Sequence, residues 1–176
     1  GKHNVENAVA SMAVACQLGC QCEEITEAVA SFEGVKRRFD QYQANDSVYI
    51  DDYAHHPEEV KATLNAVRSL YPEQKITVVF QPHLFSRTRD FTVEFAQSLS
   101  LADELILLEI YPAREKPIDG VNAEMLLSKV KLDTKKVLTK EALLENLKTN
   151  KRSVLVTLGA GDIDQIVEPI KSIYQE

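Results

Sequence analysis

The sequence has no tryptophan, only three cysteines, and no apolar run near the roughly 20 residues of a membrane span. Positive charge is also scarce, because 20 Lys and Arg stand against 27 Asp and Glu and leave a formal net charge of −7. Sequence-independent nucleic-acid binding needs a basic surface, which an acidic chain does not offer. We therefore expect no nucleic-acid partner and no membrane span.

The three cysteines, Cys16, Cys20 and Cys22, are an odd and clustered set, which does not make a disulfide framework. A reducing cytoplasm is the simplest interpretation. Cys16 and Cys20 share a helix face, so a metal site is the alternative, but their spacing matches no common zinc pattern. We expect small buried side chains here and assign no metal ligand.

Two patterns follow one another along the chain, with the basic segment Val35–Phe39 between them as a hinge or linker. Helical spacing of apolar residues comes first, and alternation of strands with helices follows. In chain order we predict helices over 4–18 and 23–32, strands over 39–43 and 47–51, a helix from Pro57, a strand over 75–80, a helix through Phe91, Phe95 and Leu99, a strand over 104–110, a helix over 126–130, a strand over 136–138, a helix over 141–147, a strand over 153–158, and a last helix that Pro169 kinks or delays. This alternation predicts an open, mostly parallel α/β sheet.

Polar and titratable residues follow the predicted strands, at the end where open α/β sheets bind ligands. Three of the four histidines are among them. The segments concerned are Asp51–Pro57, Gln81–Asp90, Tyr111–Glu115 and Gly159–Asp162. Convergent polar groups of this kind predict a binding site at the carboxyl edge of the sheet.

Each segment also has a structural interpretation. Asp52 and the histidines after it can cap a helix ahead of Pro57. Ser86 or Thr88 can be an N-cap, with Asp90 in the first turn of the helix. The glycines after the last strand can serve only a tight turn. It is the joint placement of the segments that favours function.

The residue types at this edge suit a nucleotide and a carboxylate better than a metal. His55 and His56 are adjacent, so their side chains diverge and do not form a metal-binding pair. Asn4 and Asn7 are about one helical turn apart and suit the edge of a purine, while Asp52 suits ribose hydroxyls. Forked hydrogen bonds to anions are available from Arg37, Arg38, Arg87 and Arg89.

The chain carries no G-x4-G-K-[ST] phosphate loop, so nothing in it holds a triphosphate and its Mg²⁺ alone. We therefore expect a fragment of a longer enzyme that contains only half of a nucleotide site.

Six motifs in order carry a resemblance over essentially the whole chain. They are Gly1-x-His3-Asn4-x-x-Asn7, Phe32-x-Gly34-Val35-Lys36-Arg37-Arg38-Phe39, Asp51-Asp52-Tyr53-Ala54-His55-His56-Pro57, Phe80-Gln81-Pro82-His83-x-x-Ser86-Arg87-Thr88, Tyr111-Pro112-Ala113 and Gly159-Ala160-Gly161-Asp162. Together they resemble the ATP-dependent muramyl ligase family, and within it the branch that adds L-alanine.

The resemblance implies that residues 1–34 are the tail of a central ATP-binding domain. Residues 35–176 are then a C-terminal, Rossmann-like domain, an open and mostly parallel sheet with helices on both faces. It also implies a cytoplasmic ligase of peptidoglycan precursor synthesis that joins L-alanine to UDP-N-acetylmuramate through an acyl phosphate. ATP and Mg²⁺ would be required, with the Mg²⁺ ligands mostly in upstream domains, so we expect the fragment alone to be inactive.

The resemblance further implies roles for individual residues. His3, Asn4, Asn7, Arg38 and Asp52 would bind ATP, with the asparagines at the adenine, Arg38 at the phosphates and Asp52 at the ribose. The amino-acid site would contain Tyr53, His55, His83 and Arg87. Of these, Arg87 would hold the alanine carboxylate, and His55 is a possible catalytic base by reach alone.

Two rival interpretations stay open at this point. A related ligase recycles whole tripeptides onto the same sugar nucleotide, but it is not expected to carry the Gln81–Thr88 motif. A non-catalytic receiver-like or anion-binding α/β module also fits the size and the acidic pair after the first strand. A receiver, however, needs an aspartate where Tyr111–Ala113 stands and a lysine near Gly159.

Overall fold

The computed structural model describes residues 2–44 and 46–175, apart from the side chains of Lys2 and His3. The chain forms two compact units, residues 1–36 and residues 37–176.

The first unit is a pair of helices, α1 (Lys2–Gln17) and α2 (Cys22–Ala30). Helix α1 ends just before Gly19, whose φ of +88° is accessible to glycine at little cost. The predicted helices are confirmed, although α2 ends two residues before the predicted end. Ile25 is the one buried residue that the structure describes in this unit.

The prediction of buried cysteines is wrong, because all three side chains are exposed. A pair of helices has no further layer of structure to cover these side chains. Several large apolar side chains of the same unit are exposed as well, namely Val5, Val9, Val14, Leu18, Phe32 and Val35.

The second unit is built on a six-stranded sheet in the order β1-β2-β6-β3-β4-β5. Strands β1 and β2 form an antiparallel hairpin, and every other neighbouring pair is parallel. The strands are β1 (Asp40–Ala44), β2 (Ser47–Asp52), β3 (Ile76–Phe80), β4 (Glu104–Leu107), β5 (Lys135–Val137) and β6 (Val154–Leu158). The predicted open, mostly parallel sheet is confirmed.

Helices cover both faces of this sheet. They are α3 (Pro57–Leu70), α4 (Phe85–Asp90), α5 (Thr92–Leu99), α6 (Ala123–Lys129), α7 (Lys140–Thr149), the 3₁₀ turn Asp162–Ile166 and α8 (Val167–Gln175). Alternate strand residues face opposite sides. Thus Val78 packs in a core with α3, α5 and α6, while its neighbour Val79 packs in a second core with α7 and α8.

The local structure differs from the predicted elements at β4 and α4, and agrees with them at Pro169. Strand β4 ends at Leu107, three residues before the predicted end, although Leu108 and Ile110 are buried and the Leu108 N–H still donates to the Phe80 carbonyl at 3.0 Å. Helix α4 was not predicted. Pro169 delays the last helix as expected, since it lies in the first turn of α8, where its missing N–H costs no helical hydrogen bond. In the part of the chain described, no helix is long and apolar enough to cross a bilayer.

Candidate functional site

The polar segments that follow β2 and β3 meet at the carboxyl edge of the sheet, as predicted. Strand β6 lies between these two strands in the sheet order, and its own polar turn begins at Gly159. The ring of His55 lies 5.4 Å from that of Tyr53 and 6.0 Å from that of His83, centroid to centroid. Three of the four residues expected at the amino-acid site are therefore neighbours.

Asp52 shapes the turn after β2. Its Oδ1 accepts a hydrogen bond from the Ala54 N–H at 2.8 Å, and only 7% of the residue is exposed. Burial raises the pKa of the Asp52 carboxyl, although hydrogen bonds from Ala54 and Phe39 and the charge of Arg38 oppose the rise. The interpretation of Asp52 as a cap of α3 is wrong, because it acts within its own turn; His56 occupies the N-cap position.

The two neighbouring arginines have different surroundings. Arg37 donates from Nε to Asp51 at 2.9 Å and from Nη2 to the Gly159 carbonyl at 2.8 Å. Its guanidinium therefore has internal partners and is not the free anion-binding group that the sequence suggested. Arg38 is exposed, with its Cζ 5.6 Å from the centroid of the Tyr53 ring, and its charge remains available to a ligand.

Asp51 ends a buried chain of hydrogen bonds that the sequence did not reveal. Thr157 donates to Asp51 at 2.7 Å, and Thr157 is in turn 2.8 Å from the hydroxyl of Tyr49. All three residues are fully buried. Burial raises the pKa of the Tyr49 phenol, so the hydroxyl stays protonated, and its own proton is available to this chain. Partners this far apart along the sequence leave no local signal.

His83 and Arg87 carry the clearest mark of a ligand site. In the described residues, His83 Nδ1 and Arg87 Nη1 are the two buried side-chain polar atoms without a hydrogen-bond partner. The His83 ring stacks on Tyr111, with centroids 5.6 Å apart. Burial and the charges of Arg87 and His55 lower the pKa of His83 despite the opposing effect of Glu115. Unpaired buried polar atoms are costly, so a ligand that pairs with both would be favoured, and the Arg87 guanidinium selects an anion.

The beginning of α4 is held by Glu115, a contact that the sequence analysis missed. The Glu115 carboxylate accepts hydrogen bonds from both the backbone N–H and the hydroxyl of Ser86. Those bonds hold the pKa of Glu115 below its ordinary value. Since Leu84 is the N-cap, the interpretation of Ser86 or Thr88 as N-cap is wrong; both lie inside α4. Glu115 thus fixes the residue directly before Arg87.

The turn after β6 requires its glycines, which confirms the tight-turn interpretation. A Cβ on Gly161 would lie 2.6 Å from Gln81 Oε1 and 2.6 Å from Tyr111 Cβ, closer than atoms pack. Gln81 fills this space to hold the turn, donating to Asp162 at 2.7 Å and accepting from the Ile163 N–H at 2.8 Å. The signal for this contact was present in the sequence, because Gln81 follows β3 as Gly159 follows β6.

The remaining predicted residues belong to α1. Asn4 and Asn7 are exposed and one turn apart, as expected. The side chain of His3 lies outside the described part of the structure. Among the residues that are described, no cluster of three or more His, Cys, Asp or Glu is arranged to hold a metal ion.

Comparison with known proteins identifies the family. The Mur ligase glutamate ligase domain matches residues 37–161. The UDP-N-acetylmuramate–L-alanine ligase of Cytophaga hutchinsonii is 51% identical over 100% of this chain, which spans 38% of that protein.

Two solved structures of ligases have a similar fold. The UDP-N-acetylmuramate–alanine ligase of Thermotoga maritima is 31% identical with a TM-score of 0.76, covering 99% of this chain and 38% of that one. A murein peptide ligase from Psychrobacter arcticus shares the fold at 22% identity and a TM-score of 0.70, covering 100% of this chain and 38% of that one. The chain belongs to the Mur ligase family and contains its glutamate ligase domain.

Proposed function

We propose that the chain is the C-terminal part of an ATP-dependent ligase that joins L-alanine to UDP-N-acetylmuramate. The observation that carries the proposal is the pair of unpartnered buried nitrogens, His83 Nδ1 and Arg87 Nη1, beside Tyr53 and His55. The extent of the resemblance to alanine-adding ligases supports it, since the 51% identity to one of them runs over the whole chain. The same identity favours L-alanine over the tripeptide as the substrate.

Arg87 holds the carboxylate of the amino acid in this proposal. Its Nη1 is buried and has no partner among the described residues, and a guanidinium matches a carboxylate with two parallel hydrogen bonds. His83 beside it is held in place by Tyr111 and supplies the second unpartnered nitrogen. Tyr53 and His55 then lie at the amino end of the substrate.

The chemistry requires a carboxylate activated as an acyl phosphate. ATP would supply the phosphoryl group to the lactyl carboxylate of the sugar nucleotide. The amine of L-alanine then forms the N–C bond, phosphate leaves with the bonding electrons, and the nitrogen loses a proton. The residues of this chain orient the amine for attack on the acyl phosphate.

For the nucleotide we propose the roles that the family resemblance implies. His3, Asn4, Asn7 and Arg38 would contact ATP, and Asp52 would accept from its ribose. The exposed guanidinium of Arg38 suits phosphate, and the Asp52 carboxylate has lone pairs beyond those used by Ala54 and Phe39. Mg²⁺ would be held mostly by residues outside this chain.

Residues 1–34 would then be the tail of the ATP-binding domain and residues 35–176 the C-terminal domain. The exposed apolar side chains of α1, among them Val5 and Val9, support a role for the first unit within a larger domain. Because it lacks a phosphate loop, the 176-residue chain alone is expected to be inactive, and we propose a cytoplasmic location from its cysteine content.

A chimera tests the function. This chain replaces the matching 38% of the Cytophaga hutchinsonii ligase, and phosphate release is followed with ATP, Mg²⁺ and UDP-N-acetylmuramate. We expect release that depends on L-alanine. Release that depends on the tripeptide instead would identify the chain as part of a tripeptide-recycling ligase. Release with neither acceptor, in a folded chimera, would contradict both the alanine-adding and the recycling assignment. The unmodified Cytophaga ligase is the control.

A further inference from the structure

We propose that Glu59 is a positioning residue that keeps hydrogen on Nδ1 of His55 and so leaves Nε2 as the acceptor nitrogen of that ring. The placement of the hydrogen stands on geometry alone. Its consequence, that Nε2 accepts a hydrogen bond from the amino group of the incoming amino acid, rests on the proposed function.

Two oxygens surround Nδ1 of His55. The carbonyl oxygen of Tyr53 is 3.0 Å away, and Oε2 of Glu59 is 3.3 Å away. A backbone carbonyl and an ionised carboxylate only accept hydrogen bonds, and a neutral imidazole has one donor and one acceptor nitrogen. A lone pair on Nδ1 would face both oxygens without a hydrogen between them. The hydrogen therefore belongs on Nδ1.

Glu59 is itself held in the ionised state by the backbone. Its Oε2 accepts from the N–H of His55 at 2.9 Å and from the N–H of His56 at 3.1 Å. Partial burial raises the pKa of the Glu59 carboxyl, but these bonds and the charges of His55 and Arg38 bring it below the ordinary value. Glu59 lies in the first turn of α3, where a negative charge also meets the helix dipole favourably.

The other nitrogen of the ring is available. No described residue forms a hydrogen bond with Nε2 of His55, and the ring lies between those of Tyr53 and His83. The charged and titratable groups around it are Glu59, Tyr53, His83 and Arg38, with Arg87 beyond His83. An amino acid whose carboxylate is bound by Arg87 therefore finds an acceptor for its amino group at Nε2.

Nitrogen NMR of the ¹⁵N-labelled 176-residue chain measures the two ring nitrogens directly, with the resonances of His55 identified from a His55→Gln variant. We expect the nitrogen shifts of the neutral ring to show hydrogen on Nδ1 and a bare Nε2. The Glu59→Gln variant keeps an acceptor for the backbone N–H groups but loses the charge. It should raise the ratio of the Nε2–H to the Nδ1–H form roughly fivefold, the scale of the difference between a charge-assisted and a neutral hydrogen bond.

The Glu58→Gln variant is the matched control, because Glu58 is the neighbouring acid in the same first turn and is exposed. Its ratio should equal that of the unmodified chain. Hydrogen on Nε2 in the unmodified chain overturns the proposal, whether or not either variant folds. An unchanged ratio in a folded Glu59→Gln variant overturns the role of Glu59. Neither result depends on ligase activity, which the chimera tests separately.

Discussion

The two ends of the parallel sheet differ in their unpaired buried groups: the carboxyl end has them beside its paired Arg37 and Asp51, whereas the buried charge at the amino end is fully paired. At the amino ends of the strands, Glu104 is 4% exposed and accepts two hydrogen bonds from Arg152, at 2.9 Å and 3.2 Å. Lys75 at 3.2 Å and the Thr77 hydroxyl at 3.3 Å complete its partners. At the carboxyl ends, Arg87 and His83 each keep a buried nitrogen without a partner.

This difference separates groups that serve the fold from groups that serve a ligand. A fully paired buried charge gains nothing from binding, and losing one partner leaves the other stranded. A buried group that stays unpaired costs stability until something binds it, and such groups concentrate at functional sites. The same fold therefore carries a stabilising cluster at one end of its strands and a binding site at the other.

The largest expected effect on stability comes from replacing an arginine by methionine at each end of the sheet. Arg152→Met leaves Glu104 buried with only Lys75 and Thr77, and we expect the free energy of unfolding to fall by about 3 kcal/mol. Arg87→Met removes a charge that has an unpaired buried nitrogen, so the change should be about 0.5 kcal/mol or less. Urea unfolding followed by tyrosine fluorescence measures both, because all six tyrosines lie between residues 42 and 174.

Equal losses in the two variants would remove the distinction between the ends. A loss confined to Arg87→Met would reverse it.

A smaller effect on stability distinguishes the two ends of the sheet by its dependence on pH. Burial raises the pKa of Glu104, yet the hydrogen bonds and charges of Arg152 and Lys75 lower it below 4.5 in the folded state. Its contribution to stability is therefore present above pH 4.5 and lost as pH falls through the lower folded value. The pKa of His83 lies below 6.5 in the folded state, first because of burial. Protonation of His83 therefore favours the unfolded chain. The resulting decrease in the free energy of unfolding begins as pH falls through 6.5, at a higher pH than the decrease due to Glu104.

In the His83→Gln variant, the free energy of unfolding should no longer decrease as pH falls through 6.5, but it should still decrease below pH 4.5. The Arg152→Met variant should keep the decrease that begins at pH 6.5 and show a smaller decrease below pH 4.5. A decrease near neutral pH that survives in His83→Gln would assign it to another group.

The sequence predicted this fold where the signal was local and periodic. The apolar run before Gln81 gave β3, and Pro57 with its two following acids gave the start of α3. Placing the polar segments at the strand ends was also sufficient to bring His55 near His83, because parallel strands end at one edge.

What the sequence did not predict depends on partners far apart in the chain. Glu104 and Arg152 are 48 residues apart, and Ser86 and Glu115 are 29 apart, so neither pair has a local pattern. The exposure of Cys16 was missed for a related reason, since helical spacing indicates an apolar face but not what covers it. The roles of Asn4, Asn7, Arg38 and Asp52 at a nucleotide remain predictions.

The central claim is that Arg87 binds the carboxylate of the amino-acid substrate, and a comparison of two acceptors in the chimera tests it most directly. L-alaninamide has the amine of L-alanine but no carboxylate. The chimera should prefer L-alanine by about 100-fold in kcat/KM, the scale of one buried charge-assisted pair. Arg87→Met should bring the two acceptors to within about threefold of each other. Arg89→Met, which changes an exposed arginine paired with Asp90, should keep the preference. An Arg87→Met chimera that still prefers L-alanine by the full factor would contradict the account.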